Sequence, residues 1–341
     1  MKKITLLFIV LFYFGFLPQG IGQKRISGRS VSVQFSMVES PLTPEGEGSS
    51  LKEHYVSSLQ IADLDSLPDD VPIRPNSVAV IIGVEQYDFI PVAPYAARDA
   101  ELVSRYFKAL LGLERVIVHK NKDVSGFFFE NLFNAEEGEL ARIIEKGKTD
   151  LYVYYSGHGI PAADGGDVYM LPVDSKMRLI EKQGYSLNTL FEQLDKLQAK
   201  STTVFIDACF SGLGKFSQSG TPLNLMQTKG VKVKPLLYQP WLLNSSFRVF
   251  TSSSVGQAAL VLDEARTGLF TYFLAMGLRG KADLNEDGHV TAGELYRYIC
   301  SNVSENSKKI YQEQIPCFYG DDFFFFFLFF YLLLVFLILH Q

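Results

Sequence analysis

The feature that most constrains this chain is a series of short apolar runs, each followed by a stretch of helical periodicity. Val78-Ala-Val-Ile-Ile-Gly83 is a continuous apolar run, the pattern of a strand covered on both faces. Residues 96–113 follow with Ala97, Leu102, Tyr106 and Leu110 at helical spacing. The alternation then repeats. Strands are expected at 115–119, 150–155, 202–206 and 247–250, and helices at 136–146, 187–197 and 268–278. Strands separated by helices of that length make βαβ crossovers, and hence a mostly parallel sheet with helices on both faces. The one long break in the rhythm is the irregular stretch 213–244, rich in Gly, Pro and Ser.

Both ends lie outside this pattern. Lys2 and Lys3 precede an apolar core, Ile4 to Phe16, and Gly20 and Gly22 supply small residues before Gln23. Residues 1–22 therefore read as a signal peptide, and the chain as exported to the periplasm, the cell surface or the medium. Residues 23–72 mix Ser, Gly, Pro and charges and read as a linker. Residues 323–339 are an unbroken apolar tail, short for a membrane span: either a C-terminal membrane anchor or a spurious extension read from a TTT tract. The net charge of −5 comes with no basic stripe, which argues against a nucleic-acid partner. Three cysteines, an odd number, make no disulfide framework; Cys300–Cys317 is the one pairing considered, because Cys209 sits in a reactive setting.

In open parallel sheets the ligand sits beyond the carboxyl ends of the strands. The third strand runs into Tyr155-Ser-Gly-His-Gly159 and the fourth into Asp207-Ala-Cys-Phe-Ser-Gly212. His158 and Cys209 can therefore face each other, and an imidazole beside a thiol stabilises the nucleophilic thiolate. Gly157 and Gly159 let the backbone turn sharply at the histidine. The N–H groups of Gly159 and Cys209 are candidates for an oxyanion hole. A third element, Asp283-Leu-Asn-Glu-Asp-Gly-His-Val-Thr-Ala-Gly-Glu294, follows the EF-hand pattern. Asp283, Asn285, Asp287, the His289 carbonyl and Glu294 would be ligands for a structural or regulatory Ca²⁺.

The paired motifs closely resemble those of caspase-like cysteine peptidases, the metacaspase and bacterial branch above all. The resemblance runs from about Asn76 to Gly320. It takes in Ala97-Arg-Asp99, Leu171-Pro-Val-Asp174, Thr267-Gly-Leu-Phe-Thr-Tyr272 and Gln314-Ile-Pro316. The chain departs from the caspase signature where Asp207 stands in place of Gln. The resemblance implies a caspase-like three-layer α/β sandwich; together with the EF-hand pattern, this divides the chain into a peptidase domain at 73–281 and an EF-hand-like loop and helix appended at 282–320. It also implies a cysteine endopeptidase acting through His158 and Cys209, with no cofactor needed for the chemistry. Asp207, Asp99 and Ser156 match the residues that line the S1 pocket in metacaspases, so the implied substrates are proteins and peptides with Arg or Lys at P1. A carboxylate in such a pocket favours a substrate that brings the cation. Two other readings stay open: a binding or scaffold module that keeps the fold, and a Ca²⁺-responsive surface protein.

Overall fold

The computed structural model describes residues 61–67, 72–209, 238–254, 256–309, 313–322 and 325–326. The leader, most of the 23–72 segment, residues 210–237 with most of the irregular stretch, and the rest of the apolar tail lie outside them. The first part of the fold comprises β1 (Arg74–Gly83), α1 (Ala96–Leu111), β2 (Leu113–Lys120), α2 (Phe128–Phe133), α3 (Glu139–Ile143) and β3 (Asp150–Ser156). Next come β4 (Gly159–Pro161), β5 (Val168–Met170), α4 (Ile180–Gln183), β6 (Tyr185–Ser186), α5 (Leu187–Lys196) and β7 (Ser201–Asp207). The last part holds β8 (Phe247–Thr251), β9 (Val261–Leu262), β10 (Thr267–Gly268), α6 (Leu269–Met276), β11 (Val290–Thr291), α7 (Ala292–Lys309), β12 (Cys317–Tyr319) and β13 (Phe325–Phe326).

The main sheet has the order β12-β8-β7-β3-β1-β2. Its neighbours are parallel except for the edge strand β12, which runs antiparallel to β8. The chain builds β2 on one side of β1 and then crosses to place β3 on the other, so the topological switch point lies between β1 and β3. Alternate residues of the continuous apolar strands serve two layers. Ala79, Ile81, Tyr152, Tyr154, Phe205 and Phe250 pack with α1, α6 and α7. Val78, Val80, Ile82, Leu151, Val153, Tyr155, Val204 and Ile206 pack with α2, α3 and α5. The expected α/β sandwich is therefore present. At the end of β1 the packing is close. A Cβ on Gly83 would collide with the Ala96 carbonyl oxygen and lie 2.7 Å from Ala100 Cβ, so glycine is what lets α1 lie directly on the strand.

Four expectations need correction. The segment read as linker is already docked at residue 61: Leu64 is buried, Tyr106 Oη donates to its carbonyl, and the Ala62 N–H donates to Tyr272 Oη. Residues 282–320 are not an appendage. Ala282, Val290, Ala292, Leu295, Ile299 and Val303 belong to the same core as β1 and α1. The apolar tail begins inside the fold, because β13 pairs with β11 and Phe326 is buried against Phe205 and Phe250. Finally, none of the three cysteines is in a disulfide. Cys317 is registered opposite Thr251, and Phe318, opposite Phe250, packs on Tyr296 of α7. Among the described residues no helix is long and apolar enough to cross a membrane.

If the start of the apolar tail is core, Phe326→Ala should destabilise the protein by about 3–5 kcal/mol, the range for removing a buried aromatic ring. Urea denaturation measures it, and an unchanged midpoint would return residue 326 to the tail.

Candidate active site

Three strand ends line up at the carboxyl edge of the sheet. Gly83 is registered with Ser156, and Ser156 with Asp207. His158 and Cys209 each follow this row by two residues, and the Gly157 N–H donates to the Asp207 carbonyl at 3.4 Å, holding the two turns together. Both side chains are buried. Gly159 opens β4 directly after His158 and is registered with Met170.

The imidazole is oriented by a backbone group that no sequence pattern announces. His158 Nε2 lies 2.8 Å from the Pro91 carbonyl oxygen, in the segment after β1. A carbonyl can only accept, so the hydrogen bond assigns the proton to Nε2 and leaves Nδ1 as the basic nitrogen. The thiol is likewise tied to backbone. Cys209 Sγ accepts the Ala259 N–H at 2.8 Å and lies 3.8 Å from the Ala259 carbonyl. The segment carrying Ala259 is braced by the buried amide of Gln314, which donates to the Ser252 carbonyl at 2.8 Å and accepts the Leu260 N–H at 2.9 Å. The Ser252 and Ser253 hydroxyls donate to the Ala208 carbonyl, beside the cysteine.

Beneath this pair the structure gathers the other three expected residues. Asp99, in the first turn of α1, accepts the Ser156 hydroxyl at 3.0 Å and the Gly268 N–H at 2.9 Å. Asp207 accepts the Thr271 hydroxyl at 2.7 Å, and Thr271 Oγ1 is in turn 2.6 Å from Tyr154 Oη. Asp99, Ser156, Asp207 and Thr271 are all buried. Burial first, and then the charges of Asp99 and Asp207, hold the Tyr154 phenol well above its usual range, so both carboxylates act on the same hydroxyl. Gly268, Thr271 and Tyr154 complete the cluster with only a weak signal in the sequence, since Thr271 is one hydroxyl in an apolar helix and Gly268 acts through its amide.

The loop 283–294 lies at the far end of α6. It turns through positive φ at Glu286 and Gly288. Asp283 accepts the N–H groups of Asp287 and Gly288, Asn285 accepts that of Asp287, and Asp287 accepts that of His289. Glu294 accepts both the N–H and the hydroxyl of Thr291, capping the start of α7. Among the described residues no group of three His, Cys, Asp or Glu side chains is gathered to hold a metal ion.

Comparison with known proteins follows the same lines. The family described as the caspase domain matches residues 76–327. Among solved structures, the chain is similar to caspase-1 from Spodoptera frugiperda, with 16% sequence identity over 77% of this chain and 93% of that chain, at a TM-score of 0.44. No curated protein matches.

Thr271→Val keeps the shape of the side chain but removes the hydroxyl shared by Asp207 and Tyr154. It should destabilise the fold by about 1–3 kcal/mol, the cost of stripping a partner from buried polar groups. A variant that melts with the wild type would show that this hydroxyl does not hold the cluster.

Proposed function

The chain belongs to the caspase-domain family, and from that membership we propose that it is a cysteine endopeptidase cutting after Arg or Lys, with Cys209 as nucleophile and His158 as general base. Proteins of the family are cysteine peptidases that act on protein substrates. The observation that carries the finer reading is the shared offset of His158 and Cys209, two residues past a registered pair on adjacent strands, with the imidazole held through Nε2.

In this reading Nδ1 of His158 takes the thiol proton while Sγ attacks the scissile carbonyl carbon. The Ala259 N–H donated to Sγ favours negative charge on sulphur. The tetrahedral oxyanion is met by the Gly159 and Cys209 N–H groups. Collapse breaks the C–N bond, and the imidazolium returns its proton to the leaving amine. Water, deprotonated by the same imidazole, then cleaves the thioester and restores the thiol. Asp99 and Asp207 form the floor of the S1 pocket. Two buried carboxylates attract the cation of an Arg or Lys side chain and repel an Asp, and Ser156 positions the first of them.

One observation favours a second reading, a caspase-like binding module without turnover: both reacting side chains are buried. Covalent labelling of Cys209 by a peptidyl electrophile with P1 Arg separates the two. For the loop 283–294 the proposal is Ca²⁺ held by Asp283, Asn285, Asp287, the His289 carbonyl and Glu294. The turn supports it, and Glu294 has to release Thr291 to coordinate. The leader pattern of residues 1–22 supports export.

Cys209→Ala and His158→Ala should each abolish hydrolysis while leaving the fold, because nucleophile and base act as a unit. A Cys209→Ala protein retaining a tenth of wild-type activity would remove the assignment. In a fluorogenic panel, P1 Arg or Lys should be preferred to P1 Asp by at least about 10³-fold. Faster cleavage after Asp would overturn the pocket. Calorimetric titration with Ca²⁺ should give one site at about 10⁻⁴–10⁻³ M that Glu294→Gln weakens. A flat titration ends the calcium proposal.

A further inference from the structure

The grip on the general base has a second component, supplied by the same segment that carries Pro91. The His158 N–H donates to Tyr87 Oη at 2.9 Å. The Tyr87 ring lies against the imidazole, with centroids 4.9 Å apart and planes tilted by 31°. On the other side of the residue, Tyr155 Oη donates to the His158 carbonyl at 2.8 Å and accepts the Leu171 N–H at 3.2 Å. Both backbone groups of His158 are thus held by phenol oxygens. Gly157 shows how tightly: a Cβ there would lie 2.7 Å from Tyr155 Oη and 2.9 Å from Tyr87 Oη. Glycine is required because the two hydroxyls occupy the space of a side chain.

The two phenols are mounted differently. Tyr155 stands on β3 and is packed in the core. Tyr87 comes from the segment between β1 and α1, whose path is set by Asn121 Oδ1 accepting the Glu85 and Gln86 N–H groups and by the Asp88 N–H donating to the Val173 carbonyl. Four residues along the same segment, the Pro91 carbonyl holds Nε2. One rigid strap therefore fixes the backbone of the histidine through Tyr87 and its ring through Pro91. Burial, and then the neighbouring Tyr155, push the Tyr87 phenol well above its ordinary range, so it stays neutral and can accept the His158 N–H.

We infer that Tyr87 is a positioning residue of the general base: its hydroxyl fixes the His158 backbone, and its ring face stabilises the imidazolium formed when Cys209 gives up its proton. This rests on the Cys209–His158 reading. The ring contribution follows from the negative face of an aromatic ring, which attracts a cation held over it. The hydroxyl contribution follows from geometry, since an imidazole displaced by even an ångström loses its line to the thiol.

The test uses the full chain, Tyr87→Phe to delete the hydroxyl and Tyr87→Leu to delete the ring as well. Three quantities are measured: kcat and KM on a P1 Arg peptide, the rate at which iodoacetamide alkylates Cys209 at neutral pH, and the thermal midpoint. His158→Ala sets the alkylation rate of a cysteine with no imidazole. Tyr87→Phe should lower kcat about tenfold at unchanged KM and slow alkylation by a similar factor. Tyr87→Leu should fall about tenfold further, toward the His158→Ala rate. A fold-stabilising role alone would lower the midpoint while the folded protein alkylated at the wild-type rate, and that result overturns the inference. So does a wild type no faster than His158→Ala. If no basic peptide is cut, the proposed peptidase specificity fails, and the alkylation series still decides the role of Tyr87.

Discussion

Everything at this site depends on the ladder between β3 and β7. Parallel pairing sets Ser156 opposite Asp207, and from that register the histidine and the cysteine each lie two residues on. Side-chain direction in a strand has a period of two, so a slip of one residue would turn every inward group to the other face. The fold resists that slip because the strands are covered on both sides: Tyr152, Tyr154 and Phe205 fill one layer, and Val153, Tyr155 and Val204 the other. The alignment of His158 and Cys209 is thus held by the same burial that holds the domain together.

The carboxylate floor is the expensive part of the arrangement. Removing a carboxylate from water costs several kcal/mol, and two close together add repulsion. Part of the compensation comes from neutral donors: the Ser156 hydroxyl and Gly268 amide for Asp99, and the Thr271 hydroxyl for Asp207. Two of these come from the start of α6, where the unsatisfied N–H groups of a helix favour negative charge. Such donors lower the cost of burying the charge.

The loop 283–294 and the apolar tail change meaning once their neighbours are known. Judged by spacing, the first is a calcium-loop pattern and the second a membrane anchor or an artefact. In the fold, β11 and β13 pair with each other, and Val290 and Phe326 enter the core that contains α1 and α6. Val290 and Phe326 therefore help close the α1 side of the sheet. Whatever the loop binds, its two ends are anchored by packing.

What could be read from the amino-acid sequence were the local patterns: the apolar strand runs, the helices between them, and the paired Ser156-Gly-His158 and Asp207-Ala-Cys209 turns; the carboxylates at 99 and 207 came only through the family resemblance. The local patterns are legible because strand and helix periodicities extend over only a few residues, and because glycines around a reactive side chain report a backbone demand on the spot. The docked segment at 61–67, the small β4-β5-β6 sheet and the shared core of α7 were not legible, since nothing local distinguishes a linker from a segment that finds a partner about 200 residues away. The same holds at the site. The Pro91 carbonyl, the Ala259 amide, the Gln314 brace and the Tyr87 hydroxyl act through backbone atoms or through contacts across 50 residues or more. Residue type chose which groups can do chemistry, and only the register of the parallel sheet decided which of them meet.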